Sequence, residues 1–185
     1  MTITKAYKVR LYPTKTQQEL MIKTFGCTRF VYNKALHICQ ETYRTSKRPV
    51  FYGELSRMLT FWKTMTELSF LKAVDKFALQ NSLRDLCQGF TNMKHGAGYP
   101  KYKSKHDHHD SYKTQFTNIN IAVDNTYIIL PKLGHIRYRD KKTPQGKIRN
   151  VTISRTPSGK YYASVCVETE DVRELPMTGN QIGID

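Results

Sequence analysis

Helical periodicity occupies one continuous stretch of this chain, about residues 14 to 93, and β-type alternation lies on both sides of it. A lone strand on the N-terminal side has no stable existence by itself, so it must pair with strands that follow the helices. The pattern therefore predicts an α+β fold: a small antiparallel β-barrel interrupted, after its first strand, by an inserted four-helix unit.

The first strand is Ala6-Tyr7-Lys8-Val9-Arg10-Leu11-Tyr12, with Tyr7, Val9 and Leu11 on one face, Lys8 and Arg10 on the other, and Pro13 as its stop. Thr14 with Gln17 three residues on is a capping-box pattern. Leu20, Met21, Ile22 and Phe25 then form an apolar stripe that Gly26 is expected to end. A second helix from about Arg29 to Tyr43 would make a helix-turn-helix around Gly26. A third is expected from about Tyr52 to Thr64, then a short link at residues 67 to 71. The fourth begins near Asp75 and places Phe77, Ala78, Leu79, Leu83, Leu86 and Phe90 at helical spacing. These stripes read as bundle core.

Residues 94 to 113 change character, with five Lys, four His and breaks at Gly96, Gly98 and Pro100, and are expected to be an exposed basic loop. Strand signals return at 115–121, 127–130, 135–138, 148–154 and 161–167, separated by turn residues. The expected organisation is a first barrel strand at 1–13, helices at 14–93, the loop at 94–113, the remaining strands at 114–175 and the start of a further domain at 176–185.

Charge narrows the partner. The chain carries 30 Lys+Arg against 15 Asp+Glu, a formal +15, and its pI is near 9.7. Such a field attracts polyanions, which favours nucleic acid. No long apolar run is present for a spanning helix, so a membrane is not expected as partner, and cytoplasmic, nucleoid-associated placement is. Cys27, Cys39, Cys87 and Cys166 are widely spaced and read as reduced, packed thiols. The run His106-Asp107-His108-His109-Asp110 holds metal-ligating residue types, but adjacent ligands in a polar run read more readily as a solvated loop.

Candidates for phosphate contacts on the first strand and helices are Lys8, Arg10, Lys15, Arg29 and Lys34. Lys101 and Lys103 of the loop join them, as do Arg137, Arg139, Lys141, Lys142, Lys147 and Arg149 of the strand region. Tyr7, Tyr12, Tyr99, Tyr102, Tyr112, Tyr138, Tyr161 and Tyr162 are candidate stacking rings for unpaired bases, although tyrosines in strands are more often half-buried packing. Lys76 and Gln80 sit one helical turn apart, and glutamine can read adenine in a major groove.

The chain closes on Gln181-Ile182-Gly183-Ile184-Asp185, a short apolar run ending in a carboxylate. A two-metal nuclease needs several carboxylates around its ions. One aspartate does not supply them.

In order along the chain, seven motifs resemble the TnpB (OrfB) family of insertion-sequence proteins, relatives of type V CRISPR effectors. They are Val9 to Pro13, Arg29 to Asn33, Asp75 to Leu83, Gly98 to Lys103, Gln115 to Asn118, Leu130 to Gly134, and Gly183-Ile184-Asp185. The match covers the family's N-terminal half. The resemblance implies an OB-like wedge barrel interrupted by a recognition bundle, followed by a RuvC nuclease domain carrying a zinc ribbon. It implies a guide RNA partner, a double-stranded DNA target with an adjacent motif, and Mg²⁺-dependent cleavage of DNA paired to the guide. Motif position gives the reading of the adjacent motif to Tyr52, Ser56, Lys76, Phe77, Gln80, Thr117 and Asn118. Asp185 matches the first RuvC carboxylate, a Mg²⁺ ligand in a complete nuclease. Mg²⁺ and Zn²⁺ are expected only in the C-terminal half, and none in these residues. If these residues act alone, no cleavage is expected. Two other readings stand beside this one: a dimeric helix-turn-helix regulator of an operator, and one half of a nuclease completed by a separately encoded fragment.

Overall fold

The computed structural model describes residues 2–107, 110–139 and 144–170. Seven strands form one antiparallel sheet: β1 (Ile3–Tyr12), β2 (Asp110–Gln115), β3 (Ala122–Val123), β4 (Tyr127–Leu130), β5 (Gly134–Arg139), β6 (Lys147–Arg155) and β7 (Tyr161–Thr169). Their order is β2-β6-β7-β1-β5-β4-β3. The first strand thus lies in the interior of the sheet, between β7 and β5, and the helices are inserted after it as the pattern predicted. The sheet curls into a half-barrel whose edges, among the described residues, are β2 and β3.

Between β1 and β2 lie α1 (Lys15–Ser46), α2 (Tyr52–Thr64), a 3-10 segment (Thr66–Ala73) and α3 (Lys76–Lys94). The expected turn at Gly26 does not exist, because α1 runs through it without a break. Glycine inside a helix costs about 1 kcal/mol relative to alanine. Met21, Phe25, Cys27, Thr28 and Val31 bury one continuous stripe across the glycine, and each large apolar side chain kept from water contributes roughly 1.5 to 3 kcal/mol. Burial therefore outweighs the local signal. The two helices expected across residues 14 to 43 are therefore one continuous helix. The expected link at 67–71 is also helical, within the 3-10 segment.

α1 begins on the expected capping box: Gln17 N–H reaches Thr14 Oγ1 at 3.4 Å and Thr14 N–H reaches Gln17 Oε1 at 3.0 Å. The Gln17 amide also donates to the Leu133 and His135 carbonyls at 3.0 and 2.8 Å, so one residue starts the helix and pins the β4–β5 turn to it. That turn needs left-handed backbone at Lys132 and Gly134, both with φ of 66°.

Two cores meet along α1 and α3. Met21, Phe25 and Ala78 pack with Val9, Leu11, Ile136, Val151, Val165 and other inward residues of the sheet. Val31, Leu36, Leu55, Leu59, Trp62, Leu79 and Leu83 form the bundle core, and Leu20 touches both. Polar ties fix the junction: Ser82 Oγ donates to the Thr28 carbonyl at 2.7 Å and Asn81 Nδ2 to the Lys113 carbonyl at 2.8 Å.

Two further expectations change. Residues 110–115, and not 115–121, form β2, since Asn118 and Ile119 take left-handed φ values of 50° and 61° that no strand accommodates. The basic loop is no free loop either. Pro100 is buried against Gly89, where a Cβ would come within 3.3 Å of the proline ring, and Tyr99 meets Phe90 edge-on at 5.6 Å. Asn33 clasps Lys103 through both backbone groups, at 2.9 and 2.8 Å, and Tyr102 donates to Gln40 at 2.7 Å.

Candidate nucleic-acid interface

α3 starts at Asp75, whose Oδ1 accepts the Phe77 N–H at 3.0 Å. Lys76, Gln80 and Arg84 follow on successive turns of one face. α2 lies alongside in the opposite sense: the Arg84 guanidinium sits 5.2 Å from the Tyr52 ring at one end, and Lys63 neighbours Lys76 at the other. Ser56 is one turn beyond Tyr52. Tyr52 and Arg84 thus meet at one end of this helix pair, and Lys63 and Lys76 at the other.

At the Lys76 end lies a cleft of about 550 Å³ where the bundle meets the sheet, and Tyr52, Ser56 and Gln80 are not among its lining residues. Phe77 lines it from α3, Thr117, Asn118 and Asn120 from the segment after β2, and Lys132 from the β4–β5 turn. Lys63 and Lys72 complete its wall with Lys76. The lining acid is Asp75, 5% exposed, whose second oxygen has no hydrogen-bond partner. Burial, then the neighbouring Lys76 ammonium, holds Lys63 below the ordinary lysine value against the opposing pull of Asp75. Positive charge is thus crowded here at an energetic cost that a bound anion would relieve.

Asn120 shapes the Thr117–Asn118 loop. Its Oδ1 accepts the Thr117 N–H at 2.7 Å, and its Nδ2 donates to the Gln115 carbonyl at 3.0 Å. The loop leaves Asn118 exposed at the cleft and Ile119 81% exposed.

The other predicted basic residues fall into separate groups. Lys8, Arg10, Arg137 and Arg139 share the outward face of the sheet. Lys15 is exposed at the start of α1, and Lys34 lies over the Trp62 ring at 5.4 Å. Arg149 pairs with Glu168 at 3.0 Å beside a bulge in β6, with Lys147 exposed two residues before it. Lys101 is exposed. Lys141, Lys142 and Asp185 lie outside the described residues, as do His108, His109 and the expected nuclease strand at 176–185. Among the stacking candidates, Tyr112, Tyr138 and Tyr161 are core residues at 6, 4 and 5% exposure, and Tyr7 is half-buried. Tyr12, Tyr99 and Tyr102 are exposed, and Tyr127, which alternation alone did not mark, joins them.

A second opening, of about 310 Å³, lies on the β2 side of α3. Two of its cations, Arg29 and Lys103, are already engaged. Arg29 pairs with Asp110 at 3.5 Å, and the Lys103 ammonium sits 4.2 Å from the Tyr32 ring centroid, where burial lowers its pKa and Asp85 opposes the shift. Asp107 accepts the Ser104 N–H at 3.0 Å. Among the described residues no group of three or more His, Cys, Asp or Glu is placed to hold a metal ion, and no helix is long and apolar enough to cross a membrane.

Two known proteins are similar to this chain over nearly its whole length. A putative RNA-guided DNA endonuclease, InsQ, of Escherichia coli (strain K12) is 32% identical over 182 residues, which cover 98% of this chain and 44% of that protein. A putative RNA-guided DNA endonuclease of Streptomyces pristinaespiralis is 34% identical over 188 residues, covering 99% of this chain and 46% of that protein. Residues 1–48 match a helix-turn-helix domain family of the OrfB type. The chain belongs to the TnpB (OrfB) family. It spans about half the length of these two TnpB relatives, in keeping with an N-terminal half. The virulence protein VsdF of Salmonella dublin is also similar, 32% identical over 114 residues that make up 94% of its length. In this TnpB-family chain the segment matched as a helix-turn-helix domain is β1 followed by the single helix α1.

Proposed function

We propose that this chain is the nucleic-acid-binding half of a TnpB-like RNA-guided DNA endonuclease, holding a guide RNA by its backbone and reading a short duplex motif beside the target. One observation carries the reading. Lys76 and Phe77, about forty residues from Thr117 and Asn118 in sequence, converge on one cleft whose wall adds Lys63, Lys72 and Lys132. Lysines neutralise duplex phosphates while Gln80, Thr117 and Asn118 present hydrogen-bonding side chains to base edges. Tyr52 and Ser56, on α2 outside the cleft, would extend the reading surface. Sequence choice beyond the motif would come from pairing with the guide. Strand cleavage would need Mg²⁺ held by Asp185 together with carboxylates supplied by further sequence or a separate chain.

The experiment is to express the chain with its flanking genomic DNA, recover bound RNA at about 0.3 M salt, a concentration that removes weak backbone contacts, and select duplexes from a randomised library with the resulting complex. One discrete transcript and one enriched motif are expected. Gln80→Ala should relax a single motif position, by roughly 1 to 3 kcal/mol. Recovery of no specific RNA, or a library with no enriched motif, would overturn the reading.

A further inference from the structure

Among the described residues the helices cover one side of the sheet and leave its outward face uncovered. Strand register arranges that face in rows. Ser111, Ser154, Tyr162, Arg10 and Arg139 lie side by side across β2, β6, β7, β1 and β5. The neighbouring row is Lys113, Thr152, Ser164 and Lys8, and another is Tyr12, Arg137 and Tyr127 on β1, β5 and β4. None of these residues is a carboxylate.

Such a surface is poorly suited to supporting the sheet by itself. Arg10 stands directly opposite Arg139, both exposed, and like charges at directly opposed positions of neighbouring strands are destabilising. An anion between them would reverse the sign of that interaction. Cations also lie beside rings: Lys8 Nζ is 5.0 Å from the Tyr162 centroid and the Arg10 guanidinium 5.1 Å from that of Tyr12. Tyr12 and Tyr127 are 44 and 40% exposed. Proteins that hold single strands combine a cationic track for phosphates with rings on which bases stack. The hydroxyls of Thr152, Ser154 and Ser164 beside this track can engage a ribose 2′-hydroxyl, the group that tells RNA from DNA.

We infer that the outward face of the sheet is a stacking platform for an unpaired run of RNA, with one phosphate between Arg10 and Arg139 and bases against Tyr12 and Tyr162. The platform rests on the guide-RNA reading and adds to it a place and a chemistry distinct from the duplex cleft. A paired helix can meet its cations but not lay bases on its rings, because those bases are already stacked within the duplex.

The test measures binding of labelled oligouridylate of about 12 nucleotides, within the usual site size of such surfaces, and of an RNA duplex of equal length, to the full chain. Tyr12→Ala with Tyr162→Ala should weaken oligouridylate binding about tenfold or more and leave the duplex within about twofold, with circular dichroism unchanged. The matching phenylalanine pair should retain binding, since the ring is what stacks. Arg10→Gln and Arg139→Gln should each lower the salt slope by about 0.7. Each should also raise the melting temperature of the free chain at low salt, where an arginine kept for structure would lower it. Unchanged oligouridylate binding in the tyrosine variant, equal losses for single strand and duplex, or tighter binding of oligothymidylate would overturn the platform. A chain that retains a specific transcript but ignores the tyrosine changes fails the platform alone, and one that binds no RNA fails the guide-RNA reading with it.

Discussion

Two openings flank α3, and they treat positive charge in opposite ways. In the larger one Lys63, Lys72, Lys76 and Lys132 face a single lining acid, Asp75, which is itself buried at the start of the helix. In the smaller one Arg29 has Asp110, Lys103 has the Tyr32 ring, and Asp85 and Asp107 stand nearby. The larger lining sets four lysines against one acid, and the smaller sets Arg29, Lys103 and Lys113 against Asp85, Asp107 and Asp110. Only the first presents cations in excess of its carboxylates, so it is the one that can trade self-repulsion for phosphate contacts, while the second uses its charges to fasten Lys103 and Asp110 to α1.

The largest effect that would break this contrast lies in the cleft. Replacing Lys63, Lys72, Lys76 and Lys132 together by glutamine should weaken binding of the selected duplex at least about 100-fold at moderate salt and reduce the salt slope by about 3 to 4, without lowering thermal stability. Titrations at several salt concentrations measure both quantities, and an affinity held within about threefold would remove the cleft from the duplex path.

On the other side the expected effect is on stability. Asn33→Ala removes both hydrogen bonds that clasp Lys103 and should cost about 2 kcal/mol in denaturant unfolding, with duplex affinity changed less than about twofold. Arg29→Gln breaks a half-exposed pair at 3.5 Å and should cost less than about 1 kcal/mol. An equally small change in duplex affinity is expected. A large loss of affinity in either variant would mean that the smaller opening also contacts nucleic acid.

The smallest effect sharpens the comparison through pH. Lys63 has a depressed pKa in the folded chain, so the native state holds that proton less well than the unfolded state. Its charged form therefore costs stability at neutral pH, and the cost fades as pH rises from the folded value through the ordinary 10.5. Lys63→Met should raise the melting temperature by about 1 to 3 °C at pH 7. The gain over the parent chain should vanish by pH 10.5 and above. A gain that persists unchanged at high pH would point to packing instead of charge.

Much of the scaffold was legible in local pattern. Alternation in β1, the Thr14–Gln17 capping box, and the apolar spacing from Phe77 to Leu86 each report a periodic burial that the chain keeps when folded. Gly26 misled because a breaker signal is local, whereas the stripe across it is buried against two cores at once. Tyr112, Tyr138 and Tyr161 were ambiguous for a related reason: a tyrosine in an alternating run has the same spacing whether its ring faces the core or solvent. Lys63 and Lys72 carried no signal at all, and Lys132 only its place in the Leu130 to Gly134 motif; they stand on three elements that only the packing of bundle on sheet makes neighbours.

The sequence by itself determined the inserted order of strand, helices and strands, the strong positive charge, and the motif set that marks the family, because periodicity, charge and short motifs are properties of neighbours along the chain. The tertiary structure decided which cations are spent and which are available. Partners such as Asn33 and Lys103, or Arg10 and Arg139, are separated by long stretches of chain, and electrostatic energy depends on distance in space.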